Sequence, residues 1–302
     1  MNFLTKLKRI KKKSDIALHN ACALNEIVTN IIKKEYMLQN SLQSTKMGVA
    51  ENGKYPDEII VSLTTYGKRI FDVNITIESL LNQTMPPNKI ILWLAEDEFN
   101  EKNIPFILKK QAERGVIIDF CKDLKSYKKL IPTLEKYPNS IIITADDDII
   151  YNCNMVENLY LEYLKNKNCI YACRAHFMTF DKNKNLLPYN QWKHNYQQQE
   201  ESYLVFPTGA GGILYPPNCF HEDILKIDLF TKLAPYADDI WFKTMTLLNN
   251  VPCQIIYSQH VYLQDNQDMA LFHKNIGQQL NDVQLKQTFD YYNLWNFLKS
   301  KI

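Results

Sequence analysis

The stretch Ile141-Ile142-Ile143-Thr144-Ala145-Asp146-Asp147-Asp148 constrains the fold more than any other part of the chain. Its unbroken apolar and β-branched run reads as a strand covered on both faces, as in a parallel sheet under crossover helices. The three carboxylates must then stand where that strand ends and the sheet opens. Neighbouring strand residues point to opposite sides, so Asp146 and Asp148 share a direction and can approach one cation or its bound water, while Asp147 points elsewhere. Crowded carboxylates repel unless positive charge lies among them, and Mg²⁺ or Mn²⁺, which prefer oxygen ligands, fit that need. The plainer alternative is an acidic turn leading into a helix that starts near Met155.

The surrounding pattern supports an α/β reading. Strand-like runs at Glu58–Leu63, Lys89–Ala95, Val116–Cys121, Ser140–Thr144 and Ile170–Ala175 alternate with helical spacing over Asp72–Gln83, Asn103–Arg114, Leu130–Lys136 and Met155–Lys165. Ligands of such sheets bind beyond the carboxyl ends of the strands. Those ends here read Thr64-Thr65-Tyr66, Glu96-Asp97, Lys122-Asp123 and the Asp triplet. Upstream, apolar residues at helical spacing from Ile10 to about Leu42 predict a long helix, and the polar stretch 41–55, with Gly48 and Gly53, reads as a linker. The expected organisation is therefore an N-terminal helical extension and linker over 1–55 and one catalytic domain over 56–302. Regularity fades after about Arg174, where an aromatic and amide-rich stretch from Tyr189 to Tyr203 precedes Gly209-Ala210-Gly211-Gly212; Asp282 to Leu298 reads as a terminal helix packed back on the domain.

Composition narrows the function classes. A chain of 302 residues with 46% hydrophobic content can bury a sizeable core, and a formal charge of +2 argues against nucleic acid as the main partner. Its 7 cysteines form no CxxC pair, which suits a reducing compartment, and Cys169 and Cys173 read as core thiols. No apolar run approaches the length of a membrane span and no signal peptide is recognisable, so a cytoplasmic location is expected. Lys6, Lys8, Arg9, Lys11, Lys12 and Lys13 precede any acid and interleave with Phe3, Leu4, Leu7 and Ile10. Residues 1–13 are thus either a peripheral contact with the inner face of an anionic membrane or a solvated helix end.

Ile60-Val61-Ser62-Leu63-Thr64-Thr65-Tyr66, the Asp triplet, and Ala237-Asp238-Asp239-Ile240-Trp241 occur in that order, and together they resemble glycosyltransferase family 2 and its bacterial relatives. The resemblance runs from about Glu58 to Asn249 and implies the GT-A fold, a nucleotide-binding Rossmann-like mixed sheet flanked by helices. It implies an inverting transfer from a nucleotide diphosphate sugar, a UDP-sugar above all, to a saccharide or glycolipid acceptor in bacterial surface polysaccharide synthesis. Asp146 and Asp148 match the family's metal-binding DxD element for Mn²⁺ or Mg²⁺, with Asp147 on the nucleotide side. Thr64 and Tyr66 fall where the first strand end meets the nucleotide. Asp97, or else Glu96, lies near the base-recognising acid, although Trp93-Leu94-Ala95 departs from the usual form there. Asp123 resembles a further nucleotide-side acid, and Lys129 and Arg69 are candidates for the diphosphate or plain surface cations.

By the same resemblance Asp239 is the catalytic base, which takes the proton of the acceptor hydroxyl, and Asp238 holds the acceptor or orients its neighbour. The competing reading makes one of the two a helix cap. Gly211 and Gly212 would let backbone approach a donor or acceptor sugar, or simply form a tight turn, and no phosphate-loop pattern is present. Tyr189, Trp192, Tyr196, Tyr203 and Trp241 can stack on sugar rings or fill a core. His260 and His273 lie where some GT-A enzymes add a metal ligand. Two other function classes remain open at this stage. One is a haloacid dehalogenase-type phosphatase using Asp146 and Asp148, which the βα units ahead of the motif disfavour. The other is a non-catalytic membrane-surface scaffold, disfavoured by the intact acidic motifs.

Overall fold

A computed structural model describes residues 27–51, 53–258, 260–263 and 280–302, together with 21, 24 and 25. The basic segment 1–13 and His273 lie outside the described residues. Four parallel strands carry the first half: β1 (Ile59–Thr64), β2 (Lys89–Ala95), β3 (Val116–Cys121) and β4 (Ile141–Ala145), set side by side as β3-β2-β1-β4. Helices α2 (Val73–Leu81), α3 (Phe106–Ala112) and α4 (Ile131–Lys136) connect them. Because all four strands run the same way, Thr64, Asp97, Asp123 and Asp146 gather at one edge, as their strand-end positions require.

β4 is covered on both faces, as its apolar run demands. Ile141, Ile143 and Ala145 pack with the α2 side of the sheet, and Ile142 packs with the opposite layer. Beyond the triplet follow β5 (Ile149–Tyr151) and α5 (Met155–Lys165). The run expected as one strand over Ile170–Ala175 is divided, with β6 (Ile170–Ala172) in the main sheet and β7 (Ala175–Phe177) paired to β8 (Val205–Pro207). Arg174 occupies the break. β9 (Ile213–Tyr215) lies between β4 and β6 and is antiparallel to both, and β10 (Cys253–Ile255) closes a seven-stranded mixed sheet beside β6. The expected fold class, α/β with a Rossmann-like mixed sheet between helices, is the one observed.

The second half adds α6 (Ile227–Leu233), α7 (Asp238–Leu248) and β11 (His260–Tyr262), which pairs antiparallel with β5 next to the Asp triplet. His260 is therefore brought by its backbone to the neighbourhood of the triplet. The terminal helix is two helices, α8 (Leu280–Tyr291) and α9 (Trp295–Lys299), broken at Asn293, whose φ is +54°. Leu285, Phe289, Leu294 and Leu298 bury the inner side of both.

The N-terminal helix, α1, covers 27–43 among the described residues and leaves Ile27, Val28, Ile31, Ile32 and Tyr36 exposed. Among those residues no helix is long and apolar enough to cross a membrane. The stretch read as a linker is bound to the domain. Asn74 Nδ2 donates to Ser41 Oγ at 3.2 Å, Gly48 N donates to Arg114 O at 3.1 Å, and Ala50 N to Pro87 O at 2.8 Å. A Cβ on Gly48 would come within 2.4 Å of Leu81, so the chain passes directly against α2.

Candidate active site

Lys129 joins the two acidic motifs that the sequence separates by almost a hundred residues. Its Nζ donates to Asp146 Oδ1 at 2.9 Å and lies 3.0 Å from Asp238 Oδ2, close enough for an ion pair although not aligned as a hydrogen bond. The side chain is buried, at 7% exposure, where an unpaired ammonium would be untenable. Burial works against its charge, but Asp146, Asp238 and Asp239 outweigh it and hold its pKa well above the ordinary lysine value. Lys129 is thus committed to carboxylates, so its assignment to a diphosphate gives way to a bridging position. Its neighbour Lys128, equally buried, pairs with Asp123 at the end of β3.

The triplet divides its three carboxylates between protein and opening. Asp147 is buried; it accepts from Thr65 Oγ1 at 2.6 Å and Arg69 Nε at 3.0 Å, and its other oxygen pairs with Arg69 Nη2. Thr76 Oγ1 donates to its carbonyl at 2.9 Å, which locks the turn to α2. Asp147 therefore anchors the motif from inside the protein. Arg69, also assigned to the diphosphate, is buried and divided between Asp147 and Asp148, with its Nη2 2.9 Å from Asp148 Oδ2. Asp146 and Asp148 keep about a third of their side-chain surface open, at 30% and 33%. Burial, then Asp146 and Asp147, raises the Asp148 pKa despite Arg69, and the three carboxylates of the triplet have Arg69 and Lys129 as their paired cations.

That surplus is what a cation requires. Asp146 and Asp148 offer the hard oxygen donors that Mg²⁺ and Mn²⁺ take, and the donor set fits. Among the described residues no group of three or more His, Cys, Asp or Glu forms a complete metal cage. Two carboxylates would then hold the ion in common with water and substrate phosphate, the usual state of Mg²⁺ beside a nucleotide.

The second motif opens α7. Ala237 is the N-cap and no side chain caps the helix, so Asp238 and Asp239 occupy its first turn rather than the cap and meet its positive dipole end. Tyr127, stacked on Phe230 at 4.1 Å, donates from its hydroxyl to Ala234 O at 2.6 Å and fixes the approach to this turn. Asp238 is buried against Lys129. Asp239 is half-buried; its Oδ2 accepts from Gly209 N at 3.3 Å and its Oδ1 has no hydrogen-bond partner among the described residues. Burial first, then Asp238, lifts the Asp239 pKa to about 7 against the opposing pull of Lys129. A carboxyl near neutrality with one uncommitted oxygen is suited to take a proton.

The glycine stretch closes the space between the motifs, but not at the glycines expected. Gly209 is the one facing charge: a Cβ there would stand 2.5 Å from Lys129 Nζ and 3.0 Å from Asp146 Oδ1. At Gly211 it would meet Arg174 N at 2.8 Å, and Gly212, at φ +95°, would press on Met155 Sδ. Gly211 and Gly212 are demanded by packing and backbone, and contact with a sugar is not needed to explain them.

Trp241 is likewise corrected. It is fully buried on the inner side of α7, with Nε1 donating to Ile224 O at 3.1 Å, and no sugar can reach it. Trp192 is core as well, whereas Tyr189 is half-buried. At the nucleotide edge, Thr64 Oγ1 donates to Trp93 O at 2.8 Å, the Tyr66 ring lies 5.5 Å from the Arg69 guanidinium, and Asp97 is exposed on the turn after β2. Sequence reasoning missed Lys129 as the link between the two acidic motifs. Tyr127-Lys128-Lys129-Leu130 gave it away only as a pair of lysines inside an apolar stretch.

No protein-family model matches the chain, and no curated protein does. Among solved structures it is similar to S. aureus TarS 1–349 in complex with UDP, at 12% identity and a TM-score of 0.45, over 67% of this chain and 58% of that one. The chain thus spans less than two thirds of that structure's length. A second structure of S. aureus TarS 1–349 is similar at 14% identity and a TM-score of 0.45, over 79% of this chain and 73% of that one.

Proposed function

We propose that the chain is an inverting glycosyltransferase that moves a sugar from a nucleotide diphosphate sugar, in particular a UDP-sugar, to the hydroxyl of a saccharide or glycolipid. One observation carries the reading: a buried lysine ties a strand-end Asp triplet, open toward solvent, to a second acidic pair with an uncommitted carboxylate oxygen. Transfer from a diphosphate donor needs those two functions side by side, neutralisation of the leaving group and removal of a proton from the acceptor. The sequence resemblance assigns the same two functions to the same residues.

In this reading the Asp239 carboxylate receives the proton as the acceptor oxygen attacks the anomeric carbon. Gly209 N–H holds its Oδ2. Lys129 pairs with Asp238 and opposes the rise of the Asp239 pKa without reaching the substrate. Asp146 and Asp148 would hold Mn²⁺ or Mg²⁺, which supplies positive charge to the departing diphosphate. Arg69 and Thr65 act on Asp147 and keep the triplet in register.

Thermal denaturation tests the reading. UDP with Mn²⁺, and the accepted UDP-sugar with Mn²⁺, should raise Tm, since a ligand that binds only the native state stabilises it. Chelation of the metal should abolish the rise. Hydrolysis of simple phosphate esters with no stabilisation by any nucleotide would favour the phosphatase instead.

A further inference from the structure

Arg174 stands at the end of β6, which runs parallel to β4 because both are antiparallel to β9. It therefore reaches the same sheet edge as the Asp triplet, on the far side of the glycine stretch. Its placement is tightly built. Thr208 N donates to Arg174 O at 3.0 Å, Arg174 Nη1 donates to Thr208 Oγ1 at 2.9 Å, Nε donates to Asn195 Oδ1 at 3.2 Å, and Gly211 packs against its backbone.

The partners of this guanidinium are unlike those of the other arginines. Arg69 and Arg114 each face a buried carboxylate, Asp147 and Glu78 respectively. Among the described residues Arg174 has only neutral oxygens as partners and makes no ion pair, and its Nη2 donates to nothing. A half-buried guanidinium held rigid by neutral groups is an anion site with one side unfilled, because the fork geometry is set before the ligand arrives.

Two acids act on its neighbour Tyr189: Asp239, and Asp282, whose Oδ1 accepts from Tyr189 N at 2.7 Å. His176 is buried, its Nδ1 accepts from Asn195 N at 3.2 Å, and burial, Arg174 and His194 push its pKa down to about 3, so it is neutral there. The His194 ring lies 4.3 Å from that of His176, and Tyr189 packs on both at 5.6 Å. Tyr189 feels Asp239 on one side and Arg174 on the other: burial and Asp239 raise its pKa while Arg174 lowers it. Arg174 bonds to Thr208, and the next residue, Gly209, donates its N–H to Asp239 Oδ2 at 3.3 Å, which sets the guanidinium near the carboxylate assigned as base.

We propose that Arg174 is a specificity-determining residue that binds an anionic group, carboxylate or phosphate, on the acceptor saccharide. The proposal rests on the glycosyltransferase reading for which end of the substrate is the acceptor. Its link to Asp239 through Thr208 and the Gly209 N–H is what assigns the anion to the acceptor and not to the donor diphosphate.

The test uses the full chain with UDP and Mn²⁺ present, and titrates two matched pairs by calorimetry: methyl glucuronide against methyl glucoside, and glucose 6-phosphate against glucose. At least one charged member should bind tenfold or more tightly than its neutral counterpart. In Arg174→Gln that preference should fall below twofold and in Arg174→Lys persist in part, with UDP affinity unchanged in both variants. Equal binding of both members of each pair to the native protein would overturn the proposal, as would a preference that survives in Arg174→Gln. A tenfold loss of UDP affinity in Arg174→Gln would overturn it too, by moving the guanidinium to the donor. If UDP with Mn²⁺ fails to bind the native protein, the glycosyltransferase reading fails by itself, and the charged preference is then read without nucleotide.

Discussion

Asp146 to Asp148 and Asp238 to Asp239 are both acidic and share Lys129, yet the protein surrounds them in opposite ways. At the triplet, Arg69, Thr65 and Lys129 cover part of the charge, and two carboxylates keep about a third of their surface open. At the pair, Asp238 takes the cation, and Asp239 receives one backbone N–H and burial. The first environment crowds three carboxylates around Arg69 and Lys129 and leaves two of them open to further positive charge. The second lifts one carboxyl to about pH 7, where it can gain and lose a proton. In the proposed reading identical side chains acquire separate tasks through their surroundings, the triplet as an electrostatic cradle and the pair as an acid–base group.

The sharpest way to break this contrast is Asp239→Asn. Transfer should fall by roughly 10³-fold, in the range for loss of a general base, while UDP affinity with Mn²⁺ stays within twofold. A comparable fall in nucleotide binding would merge the two groups into one. Lys129→Met should cost about 3–5 kcal/mol of stability in urea denaturation, as expected when buried carboxylates lose their partner. It should also move the acidic limb of the activity profile to higher pH, because Lys129 holds the Asp239 pKa down.

A smaller effect lies in pH dependence of the native protein. Activity should rise tenfold per pH unit below about 7 and level off above it. Stability has the opposite sign: the native Asp239 keeps a proton that the unfolded chain releases near pH 4, so stability should decline as pH rises from about 4 to 7. Asp239→Asn should remove that contribution, and pH-resolved urea titrations would show it. The smallest change is expected for Trp241→Phe, about 1–2 kcal/mol of stability for a lost hydrogen bond and some lost packing, with KM for the donor unaltered. A large rise in that KM would return Trp241 to the site.

The two halves of the chain differ in how far the sequence discloses them. In the first half Lys89–Ala95, Val116–Cys121 and Met155–Lys165 were legible to the residue, because each stands between clear stops and has a single period. The acidic edge followed from strand direction alone. In the second half the strands are three residues long, too short to show a period, and β9 enters the sheet between β4 and β6 against the order of the chain. Single residues suffered from the same limit. Nothing local distinguishes the buried Lys129 from an exposed lysine, or the core Trp241 from a stacking platform, since burial is decided by elements distant in sequence. That Asp147, read as a nucleotide contact, is bonded inward becomes visible only once Arg69 is seen to fold back on it.

The stretch 41–50 has a practical consequence. Ser41 is 1% exposed against Asn74, Val49 fills the space over Gly115, and Ala50 bonds to Pro87 O. A truncation begun at β1, where the sheet starts, would strip the outer wall from α2 and uncover Leu81. The shortest version of this protein that supports itself accordingly has to begin ahead of residue 41, and an expression design that treats 41–55 as dispensable spacer would yield an aggregating fragment.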